Sequence, residues 1–570
     1  MKKYIIFILS GLFLLSSCSE DKLEIGQKGV ITEESFYKTD ADAESALTAA
    51  YQMFITNVGG YSGIVNAPYV LFNLCGDDIY AAGNNYGDND FLAAINEFRY
   101  DTQNSVVNDS YKGYYHAIYG DNLLIDKFKA GTTPIQKRCV AEARVIRAYC
   151  HMMLAIGWKN PPLIDHALAG SDKPANSESQ KALLDWCAKE CEEAVSSLDE
   201  RKSVNDKDGS VKVTKGFAWS VAGKCHLFAG EYNEAKVDLK KVIDSGKYAL
   251  VPTDRWKELW HVEGDGDEEK IFELNTVENS NIGTWSGKIQ RSTWMLPNAW
   301  NWRSDKLVTS PTMQGVGGWG GLGVNEKFAQ DFENNDGDSP RRKASIISYK
   351  EFMTDLAYPD DADKTMTEDE KLADPNRGIN SPEGLYGQCL YLPLKRIYTK
   401  ADVYPNSYSV NNYLIMRYAE VLLMYAEACA QTNDPSGLQY LNAIQERAGS
   451  KHISSTLTLD EVKNEKKYEM WLEDCRWPDM VRWGDLDGIK NAGKNIPSLH
   501  DEFIAPDKPN YKKKHVGYLT YSNPNEGKAF GFVKGKHEYF PIPYSETSTN
   551  PNIKQNPGWG TASSTNPASK

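Results

Sequence analysis

In KGFAWSVAGKCHLFAGEYNEAKVDLKKVI, residues 215–243, small and apolar side chains recur every three or four positions on both sides of Gly230. That period belongs to two helices, and a glycine between them permits the left-handed turn that ends the first. Gly223 and Ala235 are small enough to let the helices cross closely, while Trp219 and Tyr232 are placed to fill the flanks. One such hairpin cannot bury its own apolar face, so further helices must stack on it. Candidates are plentiful. In VAEARVIRAYCHMMLAIGW, Val145, Tyr149, Met152 and Ile156 share a face that Glu142 and Arg147 avoid. YKGYYHAIYGDNLLIDKF precedes this segment and KALLDWCAKECEEAVSSL follows it; YLIMRYAEVLLMYAEACAQ and GLQYLNAIQERAG form a later pair.

Within the first hairpin, Trp219, Ala222, Gly223, His226, Gly230, Tyr232, Ala235, Leu239 and Val242 fit the spacing of a tetratricopeptide (TPR) repeat. His226 stands where that repeat usually has tyrosine and reads as packing rather than as a ligand. The expected fold is mainly α: about four TPR-like helix pairs forming an interrupted scaffold, with an irregular loop-rich subdomain. Residues 251–411 and 491–570 are rich in Gly, Pro, Asn and aromatics and show few periodic runs, apart from strand-like pieces such as KIFEL and LYLPL. Loops of such length and aromatic content in a compact protein point to function.

The formal charge of −14 repels polyphosphate, and no basic stripe compensates, so nucleic acid is not an expected partner. Lys2 and Lys3 precede an apolar run from Tyr4 to Leu15 with the length of a signal-peptide core. Leu15-Ser-Ser-Cys18 then resembles the lipobox of bacterial lipoproteins, which makes Cys18 the expected site of acylation, and Ser19-Glu20-Asp21 resembles a tag for surface display. Several acyl chains on one residue give a stable anchor. The other nine cysteines show neither paired spacing nor a zinc pattern and read as buried thiols.

Six segments in order resemble the SusD/RagB family of outer-membrane glycan-binding lipoproteins. They are FYKTDADAESALTAAY, AEARVIRAYCHMMLAIGW, VTKGFAWSVAGKCHLFAGEYNEA, NYLIMRYAEVLLMYAEACAQ, EKKYEMWLEDCRWPDMVRWG and PIPYSETSTNPNIKQNPGW. The chain departs from the family near Lys466 and Lys467, where arginine is common, and near Asp474, where glycine is common. The resemblance implies four TPR units, and as partner a SusC-like TonB-dependent transporter over which the protein sits as a lid. It divides the chain into a signal peptide (1–17), an acylated tether (18–39), scaffold (40–250), a ligand-binding region (251–411), scaffold again (412–490) and an irregular C-terminal region (491–570).

A sugar ring offers an apolar face to an aromatic plane and hydroxyls to neighbouring amides and carboxylates. Trp285, Trp294, Trp300, Trp302 and Trp319 crowd one loop-rich stretch and are the expected stacking surfaces. A second expected contributor is the loop CGDDIYAAGNNYGDND, with Tyr80, Asn84, Asn85, Tyr86 and Asp88 as ligand-binding residues. The alternatives are core packing for the tryptophans and an ordinary loop, with Asp77 and Asp78 capping a helix, for the second stretch. The acidic balance favours a neutral oligosaccharide or polysaccharide. No cofactor is expected. GDGDEE and NNDGDSPR are calcium-like in composition, yet neither completes a calcium-binding loop, and both read as surface turns. Gly488-x4-Gly493-Lys494 lacks the Ser or Thr of a phosphate-binding loop, and Glu465, Glu469 and Glu473 read as a structural ion-pair helix. The protein is therefore expected to bind rather than to catalyse. A glycoside hydrolase using loop carboxylates, or a TPR adaptor gripping a peptide, are the competing readings.

Overall fold

The computed structural model describes residues 36–59, 67–275, 320–356, 364–374, 388–399, 401–402, 411–490, 492–504, 514–528 and 530–560. Helix dominates these residues. Six helices come first: α1 (Asp40–Phe54), α2 (Ser105–Phe128), α3 (Pro134–Trp158), α4 (Gln180–Ala194), α5 (Lys215–Ala229) and α6 (Tyr232–Asp244). Their starts follow from local chemistry. Thr39, Thr133, Ser179 and Thr214 each accept a backbone N–H of the first turn, and Thr39 forms a full capping box with Asp42. From α2 onward each helix packs on the next, while α1 lies on α2 and α3.

The hairpin of α5 and α6 forms as its sequence requires. Gly230 ends α5 with φ 78°, and a Cβ on Gly223 would lie 2.6 Å from Leu239 Cγ, so the crossing admits no side chain there. Trp219 and Tyr232 pack, half-buried, against the main core.

Helix α3 is covered on more sides than its pattern suggests. Val145, Tyr149, Met152 and Ile156 are buried, but so are Glu142 and Arg147. Arg147 donates to Asn122 Oδ1 at 2.7 Å and to Glu190 Oε2 at 2.6 Å, and Tyr51 donates to Glu142 Oε2 at 2.7 Å. Neighbouring elements thus supply the partners that let charged residues lie inside. At the end of α3, Trp158 is fully buried and donates to Pro541 O at 3.0 Å; Phe540 N donates to Gly157 O at 2.9 Å. The C-terminal segment is thereby fixed on the scaffold.

Between the two scaffold stretches lies a region with helix α7 (Glu326–Asp336) and several short strands. The helical array resumes with α8 (Tyr418–Gln431), α9 (Leu438–Ala448) and α10 (Leu459–Glu469). Helix α8 packs directly on α6, so an array interrupted in sequence is continuous in space. Strands pair only in twos, all antiparallel: β1 (Ile79–Ala81) with β3 (Leu322–Val324), β2 (Lys270–Leu274) with β6 (Tyr413–Arg417), β4 (Ile346–Ser348) with β5 (Tyr391–Pro393), and β7 (Ile496–Ile504) with β8 (Lys514–Ser522). KIFEL is β2, and LYLPL contains β5. The β7–β8 pair departs from the irregular character expected of the C-terminal region. Leu499 lies opposite Leu519 and both join a small core, which holds the pair in register.

A buried ionic seam joins the inserted region to the scaffold. Arg417 donates to Glu269 at 2.6 Å, to Glu469 at 2.7 Å and to Glu473 at 2.7 Å. Arg447 reaches Glu269 and Glu469, each at 2.5 Å, and Arg341 binds Asp336, Glu465 and Glu469. Glu465, Glu469 and Glu473 are therefore structural, as their sequence context suggested. Burial opposes the Glu469 charge, but Arg447, Arg417 and Arg341 outweigh it and hold the carboxyl far below the usual range.

The same seam corrects the reading of GDGDEE and NNDGDSPR as surface turns. Asp267, Glu269 and Asp336 are buried: Glu269 and Asp336 serve the arginines, and Asp267 accepts the Glu269 N–H at 3.0 Å. Acidic, glycine-rich composition looks solvated in sequence: Glu269 is neutralised by Arg417 and Arg447 from far along the chain, and Asp336 by Arg341 only five residues on, whose own burial the sequence does not show. All nine described cysteines are buried and unpaired.

Candidate functional site

β1 and β3 run antiparallel, with Tyr80 opposite Gly323. Two further bonds continue the pairing at either end: Ala82 N donates to Gly321 O at 3.0 Å, and Asn325 N to Asp78 O at 2.9 Å. Asn325 then caps α7, accepting the N–H groups of Lys327 at 2.9 Å and Phe328 at 3.3 Å. A cleft of about 600 Å³ opens beside this junction. Tyr80 and Tyr521 supply its aromatic surface, Asp77, Glu326 and Asp331 its carboxylates, and Lys327 and Lys467 its cations.

Several of its polar groups are held. Tyr521 donates to Glu326 Oε2 at 2.6 Å, and the exposed Tyr521 ring stands at the end of β8. Arg476 grips Asp77 through two bonds, at 2.8 and 2.9 Å. Burial opposes the Asp77 charge, yet Arg476 prevails and keeps its carboxyl below the ordinary value. Asp78 lies deeper, without such a partner; burial, aided by the Asp77 charge, pushes it up to about 7. Burial likewise raises the Tyr80 phenol to about 12, so this ring is neutral at every ordinary pH. Asp331 accepts Lys327 at 2.9 Å and Lys467 at 3.2 Å. Asp77 and Asp331 are paired with cations and Glu326 accepts a phenol, and the two tyrosine rings with these fixed donors and acceptors are suited to binding.

The loop after β1 contributes unevenly. Tyr80 lines the cleft. Tyr86, though exposed, donates to Glu97 at 3.1 Å and Asn525 at 3.2 Å, which draws its hydroxyl away from the cleft. Asp88 accepts the Asn84 N–H at 2.9 Å, Asn85 O accepts the Asp88 N–H at 3.1 Å, and Asn84 O accepts Gln388 Nε2 at 2.6 Å. These residues shape a turn beside the cleft. Asp77, for its part, pairs with Arg476 rather than capping a helix. Trp285, Trp294, Trp300, Trp302 and Trp319 lie outside the described residues, as does Cys18.

Sequence reasoning missed Tyr521, Asn325 and Glu326. The β-branched and aromatic content of HVGYLTYS, followed by Asn523-Pro524, marks a strand that carries Tyr521 near its end, which is the signal that could have found it. Nothing local to Asn325 or Glu326 marks them; only the pairing of β1 with β3 carries them to Tyr80.

Residues 269–559 match the SusD family. The chain belongs to the SusD family. Among its relatives, a SusD-like protein of Formosa agariphila is 22% identical over 545 residues, spanning 89% of this chain and 94% of that protein. A SusD-like protein of Bacteroides ovatus is 22% identical over 85% of this chain and 83% of its own length. Solved structures share the fold. A laminarin-binding SusD-like protein superposes with a TM-score of 0.69 at 22% identity, over 92% of this chain and 100% of that one. Surface glycan-binding protein A from Bacteroides thetaiotaomicron, in complex with laminarihexaose, gives 0.67 at 18% identity over 91% of this chain and 100% of that one. Two of these neighbours are named for laminarin or laminarihexaose binding.

Proposed function

We propose that this SusD family member is a cell-surface lipoprotein, anchored in the outer membrane through Cys18, that captures a neutral oligosaccharide by aromatic stacking and delivers it to a SusC-like TonB-dependent transporter. The observation that carries the glycan reading is the cleft where Tyr80 and Tyr521 face a row of fixed polar groups. Two structural neighbours named for laminarin or laminarihexaose support it. So does connectivity: Gly320, the residue after Trp319, leads directly into β3, whose pairing with β1 forms the cleft wall. Three carboxylates against two lysines favour an uncharged ligand over an anionic one. No described helix is long and apolar enough to cross a membrane.

Affinity electrophoresis against a panel of neutral and anionic glycans, with release of reducing ends followed in parallel, tests the reading. Retention by a neutral glycan without new reducing ends is expected. Y80A and Y521A are expected to weaken that retention at least tenfold, the scale of one lost stacking contact of about 1.5 kcal/mol. W300A/W302A is expected to abolish it with the melting temperature unchanged. Reducing-end release would replace binding with hydrolysis, and undiminished retention by all three variants would remove this cleft and the tryptophans from the site.

A further inference from the structure

Apart from the cleft residues, side chains from three consecutive scaffold helices converge. Glu192 stands on α4, His226 on α5 and Asp238 on α6. His226 Nε2 lies 3.3 Å from Glu192 Oε1 and 3.7 Å from Asp238 Oδ2, and the ligand atoms of all three residues fall within 4.8 Å of one another. The other ring nitrogen is already committed: Nδ1 sits 2.7 Å from Glu231 Oε2. With Nδ1 engaged by Glu231, Nε2 faces two carboxylates, and either a ring proton or a metal ion can be held between them. A carboxylate behind the imidazole is also how proteins orient a histidine that ligates a metal.

Asp238 supplies the independent observation. Its side chain is 2% exposed, and Lys241 occupies only Oδ1, at 2.8 Å, while Oδ2 points into the gap before His226. Glu192 is half-exposed and has no lysine or arginine within 4 Å among the described residues. Ligands at about 2.0–2.1 Å around a tetrahedral ion stand roughly 3.3–3.4 Å apart, so the spacing needs little more than a rotation of Glu192.

We propose that Glu192, His226 and Asp238 form a site for one divalent transition-metal ion, with Zn2+ the best match to one imidazole and two carboxylates, and that the ion clamps α4, α5 and α6 together. A fourth position stays open to solvent or to a donor from another molecule. Sequence reading gave His226 a packing role, and it does pack, but its ring nitrogens also face three carboxylates.

The test is a zinc titration of the full mature protein against a chromophoric chelator, with melting curves recorded with zinc and with EDTA. One equivalent of Zn2+ is expected to bind, and H226Q and E192Q are each expected to weaken it at least tenfold. Zinc is expected to raise the melting temperature of the wild type but not of H226Q. K241A, which removes the competing ammonium at a partly exposed position, is expected to tighten binding at least twofold. E192Q alters a half-exposed side chain, so it carries the test should H226Q fail to fold. Equal zinc affinity in wild type, H226Q and E192Q, or no bound zinc in the wild type, overturns the proposal.

Discussion

Asp474 shows how one residue can break a local rule and be sustained by its surroundings. Its φ of 59° lies in the left-handed region, where the family commonly places glycine, and its carboxyl is buried. Asn73 compensates, donating to Asp474 Oδ1 at 2.5 Å and accepting the Asp474 N–H at 3.1 Å. Burial raises this carboxyl to about 7, against an ordinary value of 3.8, although Arg396 pulls the other way. A carboxyl with a raised native pKa favours the folded state when protonated. Its contribution is therefore complete below about pH 4 and is lost as pH rises to about 7. Relative to D474N, the wild type is expected to lose stability across that window, by up to roughly 4 kcal/mol at about 1.4 kcal/mol per pH. Urea unfolding of both proteins at intervals from pH 4 to 8 checks this; parallel profiles would rule it out. The departure from glycine was legible in the sequence. The reason it is tolerated was not, because Asn73 lies some four hundred residues away.

At the scale of the element, the α5–α6 hairpin was readable because its determinants are local: a cap, a break and a close crossing lie within one short segment. G223A is expected to cost about 1–3 kcal/mol by forcing a methyl against Leu239, as overpacking does. Combined with L239A, the loss should be less than the sum of the two single losses, which a double-mutant cycle in urea measures. The β7–β8 pair was harder to see. Only one of its faces packs on protein, through Leu499 and Leu519, and the other exposes Tyr518, so its apolar content spreads over both faces and the alternation is diluted. Tyr521 was lost with it, and a cleft residue went unnoticed.

The whole molecule depends on the seam between the scaffold and the region inserted into it. Arg417 has a fully buried guanidinium and touches carboxylates from both parts: Glu269 on one side, Glu469 and Glu473 on the other. R417M leaves these acids short of a partner, and such a break costs about 3–5 kcal/mol. The expected result is a lowered melting temperature together with weakened glycan retention, since the seam holds the region that supplies Glu326 against the helices. A lowered melting temperature with retention intact well below the transition would show that the cleft needs no support from the seam.

Helical period and small residues at a crossing are statements about near neighbours, and the sequence by itself determined what depends on them: a stacked helical scaffold, with thiols kept inside. Tertiary structure decided what depends on distant pairs. It placed Tyr80 beside Tyr521, sent the hydroxyl of Tyr86 elsewhere, turned two acidic loops into a buried seam and gathered Glu192, His226 and Asp238 from three helices. The physical reason is the same in each case. A charge or a ring acquires its role from the groups that desolvate and pair it, and in this chain those groups come from other elements.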